Sequence, residues 1–340
     1  MTFLRTVQIV LKRGALVAAA NWPITFIQAI ADSIFKLLMA VPLIGGIFLV
    51  AVVVGDEPVT LLTLEWRDLA ATIVSALLSH PLVLALFILA MGVVTIGGSL
   101  FVFLVKGGTV SILVRGERDA TAIEVPPLHW SVVTTASTFS VEAFIESAQG
   151  LFPRYAKLGI LLMAIYVLSG GVYLGLVMAS RAAGSYYGAP ALVTAMFVAW
   201  ITAVNLVYLL VQIAIAADDC GVGAALRRVG IFLRRNGRTV FGVFIVILAM
   251  VVLATGASIV ATAALGVISF VPFLGPFLGL AVLPLQIVAW VLRELVFQYI
   301  GLASIGAYVK LYRESADAEG RLNTDAARTF MVRDRVGATS

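Results

Sequence analysis

Charged residues are scarce in this chain of 340 residues: Asp, Glu, Lys and Arg make up 12% of it, whereas 61% is hydrophobic. About a quarter of a soluble domain is charged, and a soluble core cannot hide this much apolar surface. Lipid must therefore surround most of the chain. The net charge of +5 is grouped beside apolar segments, where basic residues set membrane topology. We expect membrane lipids as partners and exclude nucleic acid.

Cysteine and histidine are also rare, with one Cys (Cys220) and two His (His80 and His129). A single cysteine excludes an internal disulfide and a cysteine-based zinc site, and two histidines argue against a histidine-rich metal site. Asp218 and Asp219 precede Cys220, but neighbouring side chains on a helix diverge, so we interpret the row as a helix-start cap. Phosphate-binding loops, nucleophile elbows, HExxH motifs and dinucleotide fingerprints are missing too. We predict no catalytic residue, no metal and no cofactor.

Long apolar runs are what the chain has in abundance. Because about 20 residues cross the hydrocarbon of a bilayer, these runs predict an all-α membrane protein with six transmembrane helices. Pro42 permits a bend in the first span, and Pro81 is well placed to begin the second. The spans are predicted at 24–54, 81–105, 158–180, 191–216, 239–265 and 277–305. Residues 1–313 form the polytopic membrane domain, and 314–340 form a polar cytoplasmic tail with a short helix followed by disorder.

Polar interruptions between the spans carry helices with one apolar face. The stretch 218–238 holds five arginines with apolar residues between them at helical spacing, which is typical of a helix lying flat in the membrane interface. Segments 1–20 and 139–157 are similar, and Ser140 stands where an N-cap is expected. Lys12 interrupts the first of these segments, which argues against a cleaved signal peptide. The sequence thus predicts three hairpins, each preceded by a cytoplasmic amphipathic helix, and suggests a parallel threefold repeat.

The distribution of basic residues predicts the orientation of the chain. Nineteen of the 23 Lys and Arg residues lie in the N-terminal segment, the loop 106–157, the stretch 218–238 and the tail. Arg67 and Arg181 fall on the other side. Since cytoplasmic segments carry the excess of Lys and Arg, both termini are expected in the cytoplasm.

The region before the fifth span resembles a known family. Its features are the acidic turn at Asp218 and Asp219, the Ala-Leu-Arg-Arg helix at 225–228 and the Arg-Arg-Asn end at 234–236. In these the chain resembles a superfamily of bacterial and archaeal six-span integral membrane proteins related to the membrane domain of glycerophosphodiester phosphodiesterases. The resemblance covers most of the chain in layout and a shorter part in motif. It implies a six-span protein of the bacterial inner membrane, and it carries no enzyme activity across because the catalytic domain is absent.

Three polar stripes in the spans are candidates for an intramembrane pathway. They consist of Asp32 and Lys36 in the first span, Asn205 and Gln212 in the fourth, and Gln286, Arg293, Glu294 and Gln298 in the sixth. A charge at the bilayer centre costs about 2.5–3.5 kcal/mol on insertion scales, so such side chains usually face the bundle interior. We expect Arg293 to pair with Asp32 or the fourth-span stripe, and Glu294 to pair with Lys36. In the structural alternative, Asp32 pairs with Lys36 and the amides bridge helices.

Three classes of function fit these features. The preferred one is a non-catalytic membrane protein, a scaffold or a subunit of a larger assembly, whose partner is another membrane protein or a second copy. The alternative is a transporter, channel or lipid-handling permease that uses the polar stripes. A lipid-acting enzyme is disfavoured because no acid–base or nucleophile set converges on one face. Gly171 and Gly175 form a GxxxG pair, a pattern that lets helices approach closely.

Overall fold

The computed structural model describes residues 3–55, 65–121, 123–124, 130–184, 188–269 and 275–337. Within these ranges every regular element is an α-helix, and six helices are long and apolar enough to cross a membrane. The predicted all-α, multi-pass class is therefore confirmed. The helices are α1 (Phe3–Ala20), α2 (Pro23–Val54), α3 (Trp66–Ser79), α4 (Pro81–Asp119), α5 (Trp130–Thr135), α6 (Val141–Ala182), α7 (Gly188–Asp218), α8 (Val222–Ser269) and α9 (Gly275–Gly337).

The chain forms two compact units. Unit 1 comprises Met1–Phe26 and Gly107–Ser340, and unit 2 comprises Ile27–Lys106. In unit 2, α2 packs against α3 and the start of α4 through a small apolar core around Val50 and Leu77. Aromatic rings fill the space beside glycines in this unit. A Cβ added at Gly98 would lie 2.6 Å from the ring of Phe35.

Several helices are longer than the sequence predicts. The segment 139–157 and the third span form one helix, α6, with Pro153 inside it, and 218–238 continues from its fifth residue, Val222, into the fifth span as α8. A proline removes one backbone hydrogen bond without ending a helix that neighbouring elements hold in place. These two amphipathic segments are therefore not separate helices. Of the three, the N-terminal segment alone, α1, is separate from the span that follows it.

Helix α4 also continues beyond the predicted end of the second span. Residues 106–119 were expected to be a loop, yet they are the last turns of α4. Ile112 and Leu113 are fully buried there. Burial of these apolar side chains offsets the weak helix propensity of Gly107 and Gly108.

Two helix starts agree with the sequence prediction, and the tail differs from it. Ser140 is the N-cap of α6, since its side chain accepts a hydrogen bond from the Ala143 N–H at 3.1 Å. Pro81 begins α4, as predicted. In the described part of the tail, α9 continues as a helix to Gly337, beyond the short helix that the sequence predicts. The tail contains many good helix formers and no proline, so nothing in it ends the helix.

Buried residues of unit 1 are concentrated where α1, α4, α6, α7, α8 and α9 meet at the basic side of the chain. Helix α1 packs against α9 at a glycine crossing. A Cβ at Gly14 would lie 2.4 Å from the Ala307 nitrogen, and one at Gly306 would lie 2.9 Å from the Gly14 oxygen. The Tyr299 hydroxyl donates to the Ala15 carbonyl at 3.0 Å. The apolar face of α1 is therefore buried against protein.

Candidate functional site

The predicted first-span stripe lies on the surface of α2. Lys36 Nζ is 2.5 Å from an Asp32 carboxylate oxygen, and the two side chains are 55% and 37% exposed. The pairing is between residues four apart on one helix, which is the arrangement that the structural alternative predicts. Pairing of Asp32 with Arg293, and of Lys36 with Glu294, stays a prediction.

The fourth-span stripe is engaged by α6. Asn205 accepts a hydrogen bond from the Tyr166 hydroxyl at 2.5 Å and donates to the Ile201 carbonyl at 3.0 Å. Gln212 is buried, and its backbone carbonyl accepts from the Tyr155 hydroxyl at 2.9 Å. The side chain of Asn205 and the backbone carbonyl of Gln212 therefore join α7 to α6, and the Asn205 contact is of the kind that bridging amides make.

The sixth-span stripe is exposed or half-buried on α9. Gln298 donates to the Glu294 carboxylate at 3.1 Å, one turn away. The Arg293 guanidinium carbon lies 6.0 Å from the centroid of the Phe297 ring, at the outer limit of a cation–π contact. Arg293 and Gln286 are both exposed. The Gln298–Glu294 and Arg293–Phe297 contacts lie within α9, and the use of this stripe as a pathway stays a prediction.

A buried ion cluster that the sequence did not predict lies at the end of α4. Arg13 of α1 donates to the carboxylates of Glu117 and Glu124, each at 2.7 Å. Its other N–H groups reach the carbonyls of Glu117, Ala120 and Thr121, at 3.4, 2.9 and 2.8 Å. A guanidinium has five N–H donors, so all of them are used. Arg13 thus caps the C-terminus of α4, where a cation and donors are favourable.

The electrostatics of this cluster favour the charged forms of Arg13 and Glu124. Burial tends to lower the pKa of Arg13, but the hydrogen bonds and charges of Glu117 and Glu124 outweigh it and raise that pKa. Burial tends to raise the pKa of Glu124, but a backbone N–H and Arg13 outweigh it and lower that pKa. Since every donor of Arg13 is occupied, the cluster fixes α1 to α4 and has no donor left for a ligand.

A second buried polar link lies beside this cluster. Asn21 is fully buried between α1 and α2. Its amide nitrogen donates to the carbonyls of Val17 and Ala136 at 3.0 and 2.8 Å, and its oxygen accepts from the Thr138 N–H at 3.0 Å. The side chain therefore ties the end of α1 to the segment that leads into α6.

The acidic pair after the fourth span is not a helix-start cap, which corrects that interpretation. Asp218 is the last residue of α7 and accepts from Arg228 at 2.5 Å and from the Tyr312 hydroxyl at 2.6 Å. Asp219 has the left-handed φ of 46° and pairs with Arg154 of α6. A carboxylate at the C-terminus of a helix is repelled by the negative end of the helix dipole. Arg228 and Arg154 offset this repulsion by pairing with Asp218 and Asp219. No group of metal ligands occurs among the described residues.

The one cysteine lies beside this pair. Burial raises the pKa of the Cys220 thiol, and the charge of Asp218 adds to that effect. A thiolate is the nucleophilic form, so these surroundings make Cys220 a poor nucleophile.

A polar cleft opens between the ends of α4, α6, α7 and α9 in unit 1. It has a volume of about 560 Å³ and is lined by residues of all four helices, including Arg115, Arg118, Ser147, Gly150 and Arg313. Asp218 and Asp219 also line it, held by the ion pairs just described. Sequence reasoning placed 106–118 and 139–157 on one side of the membrane but did not bring them together.

Comparison with known proteins gives no relative: no family model, curated protein or solved structure matches the chain. The resemblance to the six-span family therefore stays a prediction.

Proposed function

We propose that the chain is a non-catalytic integral membrane protein that acts as a scaffold or subunit, with its spans assembled against another protein chain. The observation that carries the proposal is the exposure of charged side chains on apolar spans. Arg293 on α9 and the Asp32–Lys36 pair on α2 are exposed to the surroundings of a single chain. Each is flanked by exposed apolar residues such as Leu292 and Leu37.

Lipid is a poor environment for these groups. A charge in the hydrocarbon costs about 2.5–3.5 kcal/mol on insertion scales, and such residues usually face protein or water. A protein partner that supplies an anion or carbonyl for Arg293 removes this cost. The local pairing of Asp32 with Lys36 reduces the charge, and both side chains stay partly exposed.

The glycine pair on α6 supports the same proposal. Nothing lies within 4 Å of a Cβ added at Gly171 or Gly175, and none of the most apolar window of α6 is buried in the chain itself. A GxxxG pair is suited to close packing against another helix. The pair is therefore available to a helix of the partner.

The proposal includes the finer architecture that the sequence predicts. The six spans form three hairpins in the bacterial inner membrane, with both termini cytoplasmic and with the basic segments at the cytoplasmic surface. The 19 basic residues on one side support this orientation. We also propose that the chain is related to the six-span superfamily, on the basis of the motifs before the fifth span.

The molecular mass of the protein after mild detergent extraction tests the proposal. We expect a particle heavier than one 36.0 kDa chain, containing either further copies or a second protein, and we expect Arg293→Leu to reduce it to single chains. Arg181→Leu, at the predicted external end of α6, is the matched control and leaves the particle intact. A wild-type protein that is monomeric and free of other proteins in several mild detergents contradicts the proposal.

A further inference from the structure

The polar cleft of unit 1 has the size and the free groups of a ligand site. Its volume of about 560 Å³ lies within the range of about 300–1,000 Å³ that small-molecule sites occupy. Four helices line it, and hydrogen bonds hold its walls. Tyr312 of α9 donates to Asp218 at the end of α7, and Arg154 of α6 pairs with Asp219. The cleft is therefore a formed cavity and needs no rearrangement to admit a ligand.

Three arginines on the lining have donors available to an anion, although the charge of Arg313 also acts on the buried Glu117 carboxyl. Within the described part of the chain, Arg115, Arg118 and Arg313 form no ion pair and no hydrogen bond. The acidic residues of the lining are not equally free. Asp218 is neutralised by Arg228, and Asp219 by Arg154. The charges that remain on the lining are thus those of three arginines and two acids, so the net charge of the lining is positive.

A buried hydroxyl on the lining lacks a partner. The Ser147 side-chain oxygen is inaccessible, and no hydrogen-bond partner for it occurs among the residues that the structure describes. Ser147 is 7% exposed and lies on the cleft wall. An unsatisfied buried hydroxyl is costly, but the closed position of this oxygen keeps it from a ligand in the cleft.

We propose that this cleft binds a phosphate-bearing anion, held by Arg115, Arg118 and Arg313. Arginine presents a planar fork of donors that matches the oxygens of a phosphate group, and such charge-assisted bonds are the strong ones. The two remaining acids, Glu146 and Asp317, limit the net charge that the cleft tolerates. They favour a phosphate ester of low charge over a polyphosphate.

Two sources can supply such a group: a phospholipid head group or a soluble phosphate. The test uses the purified full chain in detergent and measures binding of three probes by calorimetry. The probes are inorganic phosphate, dihexanoyl-phosphatidylglycerol, and dihexanoylglycerol as the phosphate-free control. Binding of both phosphate compounds supports a site for the phosphate group alone. Binding of the phosphatidylglycerol alone assigns the site to a lipid head group. Failure of both phosphate probes to bind overturns the proposal.

Variants locate the binding in the cleft. Arg115→Gln combined with Arg118→Gln is expected to weaken binding by about tenfold or more, as does Arg313→Gln. Arg227→Gln with Arg234→Gln removes two exposed arginines of α8 that do not line the cleft and is expected to leave the affinity unchanged. Equal loss in both double variants overturns the proposal, because it indicates binding to general positive charge.

Filling the cleft with a large side chain tests the proposal independently of the arginine variants. Gly150 lines the cavity, and a Cβ there meets nothing within 4 Å, so Gly150→Trp fills the space without a clash at the backbone. Gly230→Trp, at an equally open and exposed position of α8, is the matched control. Both variants are expected to fold, as judged by thermal unfolding, and only the first to lose binding. Wild-type affinity in Gly150→Trp overturns the proposal.

Discussion

Replacing Arg13 by methionine tests the idea that a buried ion cluster holds α1 against α4. The Arg13 side chain is 7% exposed, and the side chain of Glu117, the more buried of its two anions, is 3% exposed. Methionine keeps part of the apolar stem but removes all five donors. It leaves Glu117, whose pKa burial already raises, as a buried carboxyl without its cation, and it leaves the carbonyls at the end of α4 without a cap.

The magnitude follows from the cost of breaking a buried ion pair. Removing one partner of such a pair destabilises a protein by about 3–5 kcal/mol, because the other charge stays buried and uncompensated. We expect Arg13→Met to lower the free energy of unfolding by this amount, measured by denaturant titration of the full chain in mixed micelles. Arg5→Met, at an exposed position on the same helix, is the matched control and is expected to change it by less than about 0.5 kcal/mol.

A second substitution separates charge burial from loss of packing. Adding Glu117→Gln to Arg13→Met removes the uncompensated carboxylate. The stability lost in the double variant should therefore be smaller than the sum of the losses in the two single variants. A loss of less than about 1 kcal/mol in Arg13→Met would refute the reasoning. Strictly additive losses would refute the ion pair, since two groups that interact cannot lose their stabilisation independently.

Three further predictions follow from the same structure. Because its folded pKa is lowered below 4.5, Glu124 stabilises the fold above pH 4.5, and this contribution is lost as the pH falls through the lowered value. The difference in stability between wild type and Glu124→Gln should therefore vanish in acid, and a difference that grows on acidification contradicts this. Gly14→Ala should cost several kcal/mol, since its Cβ would lie 2.4 Å from backbone of α9, whereas Gly301→Ala on α9, where the space is open, should cost nothing. On a Cys220→Ser background, Arg181→Cys should react with an impermeant external reagent in intact cells, and reaction only after permeabilisation contradicts the orientation.

The spans were predictable because hydropathy and length act locally. A run of about 20 apolar residues has few alternatives to a membrane helix, and Pro81 begins α4 as expected. The helix boundaries inside unit 1 were not predictable in this way. Pro153 and the Gly107–Gly108 pair are signals for a break, but α6 and α4 continue through them because burial of neighbouring side chains outweighs weak local propensity.

The buried ion cluster could not be found from the sequence, because its partners are far apart in the chain. Arg13 and Glu117 are separated by 104 positions, and neither stands in a recognisable motif. The only local signal was a pair of adjacent basic residues, Lys12 and Arg13, on a helix whose other charged residue is Arg5. The Asp218 contacts were missed for the same reason, since Tyr312 lies 94 positions away.

The polar stripes show where periodicity is informative and where it is not. Spacing correctly placed Asp32 and Lys36 on one face, and their contact follows from that spacing. The spacing of polar residues along a helix does not identify which residues of other helices pack against that face. The partner of Asn205 proved to be Tyr166 of α6, a residue outside the predicted stripes.

The central claim is that the charged face of α9 lies against protein in the native membrane. Site-specific photocrosslinking tests it most directly, with benzoylphenylalanine in place of Val296, which is exposed and lies one turn from Arg293. Leu253, exposed on an uncharged part of α8, is the control position. The claim predicts protein adducts at 296, to a second copy or another subunit, and mainly lipid adducts at 253. Lipid adducts alone at 296 would contradict it.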